Sequence, residues 1–452
     1  MARARPASFR VPQGVHSTDH TLHRLEGEPA PWRVWLYNAA LLLAAPFIFA
    51  GFAVQSLLDR RVRAGHAYRL GLKLPPKPRG AAVWLHAVSV GEVSSLQRLI
   101  ELILEAGRYE VYLSTTTATG FAMAERIYGK RVALFYFPSD FRFVLRRFFA
   151  AIQPAGVIIA EVEIWPNFLD VARGREVPVY LVNGRIGARE LAGYRLLRWF
   201  FAPYYRMYRK ILAQSEGDRA RMIQIGMPAQ SIVVTKNLKS DFIYTVDAER
   251  QAALQRCLPV DRLVIVAGST HAPEERQILE AWRSLRCDRP FLIIAPRDID
   301  RAEEVWQLCT AHGCTATVFC DTAPAASYDV LVMNTMGDLP LLYQGASIAI
   351  LGGSFSPEVG GHNFLEPLYF GKPVIVGPCM RNFQELDCRY AAGGGICKVV
   401  GADQIGRALE ELICDRVRRE ELGAKGRELL LADRGGSEET YAAIFGRGNE
   451  PA

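Results

Sequence analysis

Twice along the chain, short apolar segments of strand length alternate with amphipathic stretches of helical periodicity. From about residue 80 these segments include AAVWLHAVS, EVYLSTTT and AGVIIAE, and after a polar passage the rhythm restarts with RLVIVAGST, PFLIIAPRD and SIAILGGS. Near-continuous apolar runs separated by helices are typical of parallel strands buried on both faces. The pattern predicts an α/β protein with two doubly wound domains, and 452 residues are enough to give each domain its own core.

The predicted segments of the chain follow this rhythm. We expect residues 1–30 to form a flexible N-terminal extension, 31–60 a membrane-anchor helix, 61–245 a first Rossmann-like domain, 246–260 a linker, 261–430 a second Rossmann-like domain and 431–452 a C-terminal helix or tail. Doubly wound sheets bind their ligands beyond the carboxyl ends of the strands. The loops after the predicted strands are therefore where chemistry is expected.

A run of 21 residues from Val34 to Val54 carries no charged side chain. As a helix it would extend about 31 Å, enough to cross the hydrocarbon core of a bilayer. Basic residues are denser after it than before it, which predicts that the bulk of the chain faces the cytoplasm. A buried core helix is the alternative, and Pro46 with Gly51 disfavours a straight span. A helix lying in the membrane surface also remains open.

Charge and cysteine usage restrict the partners. A formal net charge of +7 favours anionic ones, and two basic and aromatic stretches, 142–149 and 194–210, suit a lipid headgroup boundary. Amphipathic helices with solvated basic faces would explain the same stretches.

All nine cysteines lie at or after Cys257 and no C-x-x-C pair occurs, which predicts reduced thiols and no zinc site.

In the second domain, the strand SIAILGGS leads into the loop FSPEVGGHNFLEP. Gly360 and Gly361 permit close approach of backbone to a ligand, and Asn363 is placed to cap a helix whose first turn holds Glu366. Amide groups at such a helix start attract phosphate or carboxylate. Glu358 and Glu366 are eight residues apart, a spacing found in many nucleotide-sugar glycosyltransferases of the two-domain GT-B class.

Two further strand ends in this domain carry polar residues. Arg297 directly follows the strand PFLIIAP, where a guanidinium can hold a phosphate or carboxylate, although a surface ion pair is the alternative. Gly337 and Asp338 follow the strand DVLVM. No G-x-G-x-x-G follows a predicted strand and no Walker lysine follows a glycine loop, which disfavours NAD-dependent and P-loop chemistry.

In the first domain, the stretch WLHAVSVGEVS places Glu92 in the predicted first turn of a helix. An acid there complements the helix dipole, which we expect to keep Glu92 ionised and suited to act as a base. Glu161 and Glu163 follow another strand, and side chains two apart on a strand share a face, which predicts a local charge cluster. Lys239 is a candidate compensating cation.

Taken together, these segments resemble one family, the 3-deoxy-D-manno-octulosonic acid (Kdo) transferases of lipopolysaccharide biosynthesis. The resemblance covers roughly residues 34 to 425 and rests on HAVSVGE, STTTATG, EVEIWPN, NGRIGARELAGY, NLKSD, AGSTHAPEE, APRD, NTMGDLPLLY, GGSFSPEVGGHNFLEP and GKPVIVGPCMRNF, in the order of the family. It implies the GT-B fold, with two Rossmann-like domains facing a central cleft. The first domain would bind the acceptor and the second would bind the CMP-sugar.

The resemblance also implies residue roles. Glu92 matches the catalytic proton acceptor, and Glu161 and Lys239 match positions that support the transition state. The donor CMP-Kdo would be bound by Pro296, Arg297, Met336, Gly337, Asp338, Asn363, Phe364, Leu365 and Glu366. Acceptor-binding candidates are Gly91, Arg185 and Arg189.

This chain departs from the family pattern at four positions, Ser240, Asp298, Asp338 and Phe364, where the family usually has Phe, His, Glu and Pro. Asp338 keeps a carboxylate on a shorter side chain. Asp298 is of more concern, because an acid beside Arg297 is able to occupy a phosphate-binding guanidinium.

The activity implied is an inverting, metal-independent and cofactor-free transfer of Kdo from CMP-Kdo to a lipid A precursor, by an enzyme anchored in the bacterial inner membrane and facing the cytoplasm. The expected partners are CMP-Kdo, the lipid A precursor and membrane lipid, and not nucleic acid. Three alternatives are another membrane-associated GT-B transferase or epimerase, an inactive lipid-binding relative, and a protein that binds nucleic acid through its basic stretches, although no nucleic-acid-binding module is recognisable. The number of Kdo residues added and the oligomeric state are not encoded in any motif.

Overall fold

The computed structural model describes residues 31–58, 60–187, 190–242, 248–259, 261–319 and 328–446. The chain divides into two compact units, one formed by 1–243 with 434–452 and the other by 244–433. The predicted extension 1–30 lies outside the described residues.

The first unit is built on a sheet of seven strands: β1 (Ala82–Ala87), β2 (Glu110–Thr115), β3 (Ala133–Tyr136), β4 (Pro154–Ala160), β5 (Val179–Gly184), β6 (Tyr208–Ala213) and β7 (Ile232–Val234). All pairings are parallel, in the order β3-β2-β1-β4-β5-β6-β7. Every residue of β1 and of β5 is buried, which explains why these segments are apolar on both faces. The chain reverses its direction of winding between β1 and β4, which makes this the topological switch point of the sheet.

The α-helices in the described N-terminal part of this unit are α1 (Pro31–Leu58), α2 (Arg60–Arg69), α3 (Val90–Ser95), α4 (Gln97–Ala106), α5 (Ala118–Tyr128), α6 (Arg142–Ile152), α7 (Pro166–Arg173), α8 (Leu191–Leu196), α9 (Arg198–Tyr205) and α10 (Glu216–Gln224). Helix α6 shows how a basic and aromatic stretch folds. It buries Val144, Leu145, Phe148, Phe149 and Ile152 at helical spacing. Arg146, Arg147 and Phe143 are exposed, so most of its apolar residues form core.

Helix α1 lies along the first unit through polar contacts. The Tyr37 hydroxyl donates to the Asp140 carboxylate (2.8 Å), and the amides of Asn38 and Asn167 exchange hydrogen bonds of 2.9 and 3.1 Å. Within the described ranges, residues 32–52 form the one helix that is long and apolar enough to cross a membrane, and few of them are buried. The outward side exposes Trp35, Leu42, Leu43 and Phe47. The alternative of a buried core helix is therefore wrong.

The second unit repeats the architecture with strands β8 (Val264–Thr270), β9 (Phe291–Pro296), β10 (Ala316–Val318), β11 (Val330–Val332), β12 (Ile348–Leu351), β13 (Val374–Val376) and β14 (Cys397–Lys398). They are parallel in the order β10-β11-β9-β8-β12-β13-β14, so the switch point lies between β8 and β12. Its helices are α11 (Ala248–Arg256), α12 (Glu274–Arg283), α13 (Ala302–Ala311), α14 (Leu339–Gly345), α15 (Leu365–Tyr369), α16 (Gln384–Ala392), α17 (Ile405–Cys414) and α18 (Arg416–Asp433). The two parallel sheets confirm the predicted α/β class.

The C-terminal helix α19 (Gly436–Phe445) returns to the first unit. The Asp241 carboxylate accepts hydrogen bonds from the backbone N–H groups of Gly435 (2.7 Å) and Ser437 (2.6 Å), and Arg98 pairs with Glu438 (2.9 Å). Helix α18 continues to Asp433, past the boundary at residue 430 that the sequence predicts. The first unit therefore includes residues from both ends of the chain.

Candidate active site

The functional candidates of the first unit gather at its switch point. His86 lies on β1 and Glu92 in the helix that follows this strand, while Glu161 and Glu163 follow β4, the neighbouring strand. Lys239 lies in a 3-10 turn after β7. Parallel strands end at the same edge of a sheet, which is why segments 150 residues apart in sequence meet there.

Glu92 is the third residue of α3, and its carboxylate folds back over the helix start. One oxygen accepts the N–H of Val88 (2.7 Å) and the other accepts the Ser89 hydroxyl (3.2 Å). Ser89 itself makes no side-chain capping bond, so Glu92 performs that function. The side chain is 9% exposed. A buried carboxylate held by two donors after a strand end is therefore fixed in position.

The expectation that Glu92 is ionised by the helix dipole is wrong. Burial raises the pKa of Glu92 to about 7, and the negative charges of Glu161 and Glu163 add to the effect. The hydrogen bonds from Val88 and Ser89 oppose this rise without cancelling it. Because α3 has only six residues, its dipole is weak. Glu92 therefore exchanges its proton near neutral pH.

Glu161 adopts a left-handed backbone conformation, with φ at +57°, directly after β4. Its N–H donates to the Val182 carbonyl (2.8 Å), and its carboxylate pairs with the Lys239 ammonium at 3.2 Å. Strand alternation does not extend to Glu161 and Glu163, because β4 ends at Ala160. The charge cluster forms all the same, with the backbone turn rather than the strand pleat bringing the carboxylates together.

A chain of amide hydrogen bonds holds the Lys239 turn. The Lys239 N–H donates to the Asn237 side-chain oxygen (2.9 Å), and Asn237 donates in turn to Gln214 (2.9 Å). Asn183, buried and with φ at +53°, accepts the N–H of Leu238 (3.1 Å), and its carbonyl accepts the Gln214 amide (2.9 Å). Asn183 therefore links the end of β5 to the Lys239 turn. Its sequence signal is the Asn-Gly pair that ends β5.

Glu163 and His86 form a second pair at this edge. Glu163 accepts the Trp165 indole N–H (2.7 Å) and lies 3.7 Å from Nε2 of His86. The His86 ring is fully buried, stacks on Phe137 with a centroid distance of 3.9 Å, and places Nδ1 3.0 Å from the Ser114 hydroxyl. The Trp165 indole therefore orients the Glu163 carboxylate beside the cluster, with the His86 ring next to it.

The acceptor-binding candidates are only partly described. Gly91 is exposed, and a Cβ built on it would have one neighbour within 4 Å, the Ser89 hydroxyl oxygen at 3.9 Å. Arg185 follows β5 and is half-buried. Arg189 lies outside the described residues. The three remain predictions.

In the second unit, Pro296 ends β9 and Arg297 follows it with an exposed side chain. Within the described ranges no carboxylate pairs with Arg297, and Asp298 instead accepts the N–H of Asp300 (3.2 Å). The neighbouring acid therefore leaves the guanidinium available, contrary to the concern that the sequence raises. Glu366 interacts electrostatically with Arg297, and burial raises the pKa of Glu366 to about 7 although part of its surface remains accessible.

The loop after β11 places Met336 in an exposed position, while Gly337 adopts φ at +94°. Asp338 forms a two-point ion pair with Arg250 of α11, with distances of 3.0 and 2.5 Å, and the guanidinium packs over the Phe319 ring at 4.9 Å. Arg250 lies in the segment that the sequence predicts to be a linker, so its role was missed. A nucleotide that contacts Asp338 meets a carboxylate already held by an arginine.

In the predicted motif around residue 363, one side chain forms hydrogen bonds at the start of α15 and two are buried in the core. Asn363 accepts the Leu365 N–H (3.2 Å), and its amide lies 3.4 Å from the Glu366 carboxylate, but the N-cap residue of α15 is Phe364, one position after the predicted Asn363. Phe364 and Leu365 are fully buried, and Phe364 packs edge-on against Tyr390. Their side chains cannot contact a ligand without unfolding the loop. Helix α15 has only five residues, so it offers individual amides rather than a strong dipole.

No group of three or more His, Cys, Asp or Glu side chains in the described parts of the chain is placed to hold a metal ion. Each unit thus presents charged side chains after its strands, Glu92, Glu161, Glu163 and Lys239 in the first and Arg297, Asp338 and Glu366 in the second.

Two protein-family models match parts of this chain. Residues 62–242 match the family model described as 3-deoxy-D-manno-octulosonic-acid transferase, and 326–429 match the model for glycosyl transferases group 1. A 3-deoxy-D-manno-octulosonic acid transferase of Haemophilus influenzae is 31% identical over 89% of this chain and 96% of its own length. One of Bordetella pertussis is 33% identical over 82% and 88%.

Solved structures agree on the fold. A UDP-GlcNAc 2-epimerase from Neisseria meningitidis has a TM-score of 0.54 at 12% identity, covering 78% of this chain and 99% of its own. A glycosyltransferase from Rickettsia africae has a TM-score of 0.54 at 13% identity, covering 82% and 100%. At these identities the likeness concerns the fold alone.

Proposed function

This chain belongs to the family of 3-deoxy-D-manno-octulosonic acid transferases and is therefore a glycosyltransferase that uses CMP-Kdo, and we propose that it transfers Kdo to a lipid A precursor by an inverting, metal-independent displacement. The observation that carries the mechanism is the buried Glu92 carboxylate, whose pKa is raised to about 7. A general base works best when its pKa lies near the working pH. Glu92 accepts the proton of the attacking acceptor hydroxyl as the new glycosidic bond forms.

The Glu161–Lys239 pair is proposed to support the transition state. Loss of CMP develops positive charge on the sugar ring, and an ordered carboxylate stabilises that charge while a lysine stabilises an anionic group of the donor. The 3.2 Å ion pair and the amide chain from Asn183 keep both charges in fixed positions before substrate binds. Preorganised charges cost no rearrangement at the moment of reaction.

The donor nucleotide is assigned to the strand ends of the second unit. Arg297, exposed and close enough to Glu366 to influence its charge, is proposed to hold the leaving phosphate, and Glu366 to accept ribose hydroxyls. Backbone amides beside Asn363 are proposed to bind the same ligand, since the Asn363 side chain accepts only the N–H of Leu365. Met336, Gly337 and Asp338 are proposed to complete the site. No cofactor is required.

Membrane association follows from α1 and the basic surface. A lipid acceptor is reached from a bilayer, and the apolar helix Trp32–Phe52 with the exposed Trp199 and the exposed Arg146 and Arg147 provides suitable contacts. We place the enzyme at the bacterial inner membrane with its two units in the cytoplasm, as the charge distribution of the sequence predicts.

The test is direct. Full-length protein in detergent is incubated with CMP-Kdo and a tetraacyl lipid A precursor, and the lipid is analysed by mass spectrometry; we expect a mass increase of one or more Kdo residues, undiminished by a chelator. NMR of the product is expected to show an inverted anomeric centre. Glu92→Gln is expected to lose transfer by at least about a hundredfold, whereas Glu125→Gln, an exposed acid on α5, is expected to retain it.

Unmodified lipid with the wild-type protein would rule out this acceptor. Undiminished transfer by Glu92→Gln would rule out the base.

A further inference from the structure

Two histidines face each other at the switch point of the second unit. His271 directly follows β8, and His362 lies in the loop after β12, the neighbouring strand. Their Nε2 atoms are 2.8 Å apart, and the rings are stacked with centroids at 5.1 Å. Both side chains are partly accessible. The pair therefore occupies the position where a doubly wound sheet receives its ligand.

The short Nε2–Nε2 distance constrains the protons. One imidazole must donate and the other must accept, so the accepting ring is neutral; if both nitrogens carried protons, two N–H groups would point at each other. Burial and the charge of Arg297 lower the pKa of both rings, that of His362 to about 4. Without ligand, the two rings are hydrogen-bonded to each other, which we call the closed pair, and both are uncharged at neutral pH.

The acids around the pair have partners of their own. The Glu274 carboxylate accepts the backbone N–H groups of Gly353 (2.7 Å) and Phe355 (2.9 Å), as well as that of His271 (3.0 Å). Glu275 pairs with Arg301 at 2.8 Å.

Glu366 and Asp298 are likewise engaged, by Asn363 and by the Asp300 N–H. In the described ranges, no carboxylate therefore forms an ion pair or side-chain hydrogen bond with His271, His362 or Arg297. Glu275 acts on His271 only through space, and Arg301 opposes it. Glu366 likewise interacts with Arg297 only through space. Three nitrogen-rich side chains that have no ion pair with a carboxylate are suited to an anion.

We propose that His271, His362 and Arg297 form an oxyanion site for the donor, and that the histidine pair opens and takes up one proton when the oxyanion binds. In the closed pair, Nε2–H of one ring donates to Nε2 of the other. In the open pair, the accepting nitrogen gains a proton from solvent, and both N–H groups donate to the oxyanion. The proposal rests on the proposed function, since the donor supplies the oxyanion.

Two groups of the donor have this chemistry, its phosphate and the sugar carboxylate. Both are anionic oxygen acceptors that match two imidazole N–H donors, one of them on a protonated ring, and a guanidinium. Proton uptake with CMP alone would identify the phosphate, and uptake with CMP-Kdo only would identify the carboxylate.

Calorimetric titration of the full-length protein in detergent measures the uptake, because the heat of binding in buffers of different ionisation enthalpy reports the number of protons transferred. We expect about one proton for the wild type at pH 7.5, with donor affinity falling about tenfold between pH 7.5 and 8.5. For His362→Gln we expect nearly none, no such pH slope, and about tenfold to a hundredfold weaker binding.

His271→Gln serves as a second variant with the same expectation, and circular dichroism verifies the folding of both. His312→Gln, at the end of α13 and paired with Glu280 instead, is the matched control with unchanged uptake. Glu366, whose pKa is about 7, is the other group in this site that can take up a proton when the donor binds. Uptake that persists in both histidine variants, or is absent from a wild type that binds the donor, overturns the proposal. A wild type that binds neither CMP nor CMP-Kdo and transfers no Kdo refutes the proposed function instead.

Discussion

Replacing Glu92 by Gln is expected to stabilise the first unit at alkaline pH while abolishing transfer. Gln keeps the size of the side chain and an oxygen for the Val88 N–H, and it removes the charge. Raising the pKa of Glu92 from 4.5 to about 7 means that the folded state holds its proton more tightly than the unfolded state. Stability from this group is therefore complete below pH 4.5 and is lost as pH rises to about 7.

The magnitude follows from this shift. At about 1.4 kcal/mol per pKa unit, ionising the buried carboxylate costs roughly 3 kcal/mol, and ~2.5 kcal/mol of this develops between pH 5 and pH 8. The side chain is only 9% exposed, so solvent screens little of it. With a urea dependence of about 2–3 kcal/mol per molar, the unfolding midpoint of the variant is expected to gain ~1 M relative to wild type between these pH values.

Pulse proteolysis in urea is a suitable assay, because fragments of the two units are resolved and the first unit is followed separately. Glu125→Gln, which replaces an exposed acid of the same unit, is the matched control and is expected to show no pH-dependent difference. A wild-type-to-variant difference that is equal at pH 5 and pH 8 would refute the reasoning about Glu92, whatever the effect on transfer.

Other substitutions probe the same edge of the sheet. Glu161→Gln removes a negative charge near Glu92, so the acid limb of the pH profile of kcat/KM is expected to move down by about half to one pH unit, even though the rate itself falls. Asn183→Ala releases the Lys239 turn and is expected to lower kcat more than it raises KM; a proportionate loss of folded protein would instead indicate a purely structural role. Gly91→Ala is expected to stabilise helix α3 by about 0.5–1 kcal/mol in urea unfolding, and a simultaneous rise in KM for the lipid would support close acceptor approach there.

The alternating strands and helices were sufficient to predict two parallel sheets, because near-continuous apolar runs of strand length are typical of parallel strands that are buried on both faces. The same pattern could not reveal the order of the strands, and the switch points depend on that order. It also assigned α11 to a linker, although Arg250 on that helix holds Asp338. Polar, helix-prone segments carry no periodic signal strong enough to show which unit they pack against.

Among the site residues, Glu92 and Lys239 were identifiable by their motifs, and the structure brings them to one sheet edge around Glu161. The ionisation state of Glu92 was not identifiable. A helix start predicts a lowered pKa, but burial and two neighbouring carboxylates outweigh a dipole of six residues, and none of these is a local property of the sequence.

Local sequence by itself determined which segments are strands and where charged side chains follow a strand. Those features depend on neighbours within a few residues. Tertiary structure alone decided that His271 and His362 face each other, that Asn183 holds the Lys239 turn and that α19 returns to the first unit. Each is a contact between segments distant in the chain, and its energy depends on burial and electrostatics that exist only after the sheets have formed.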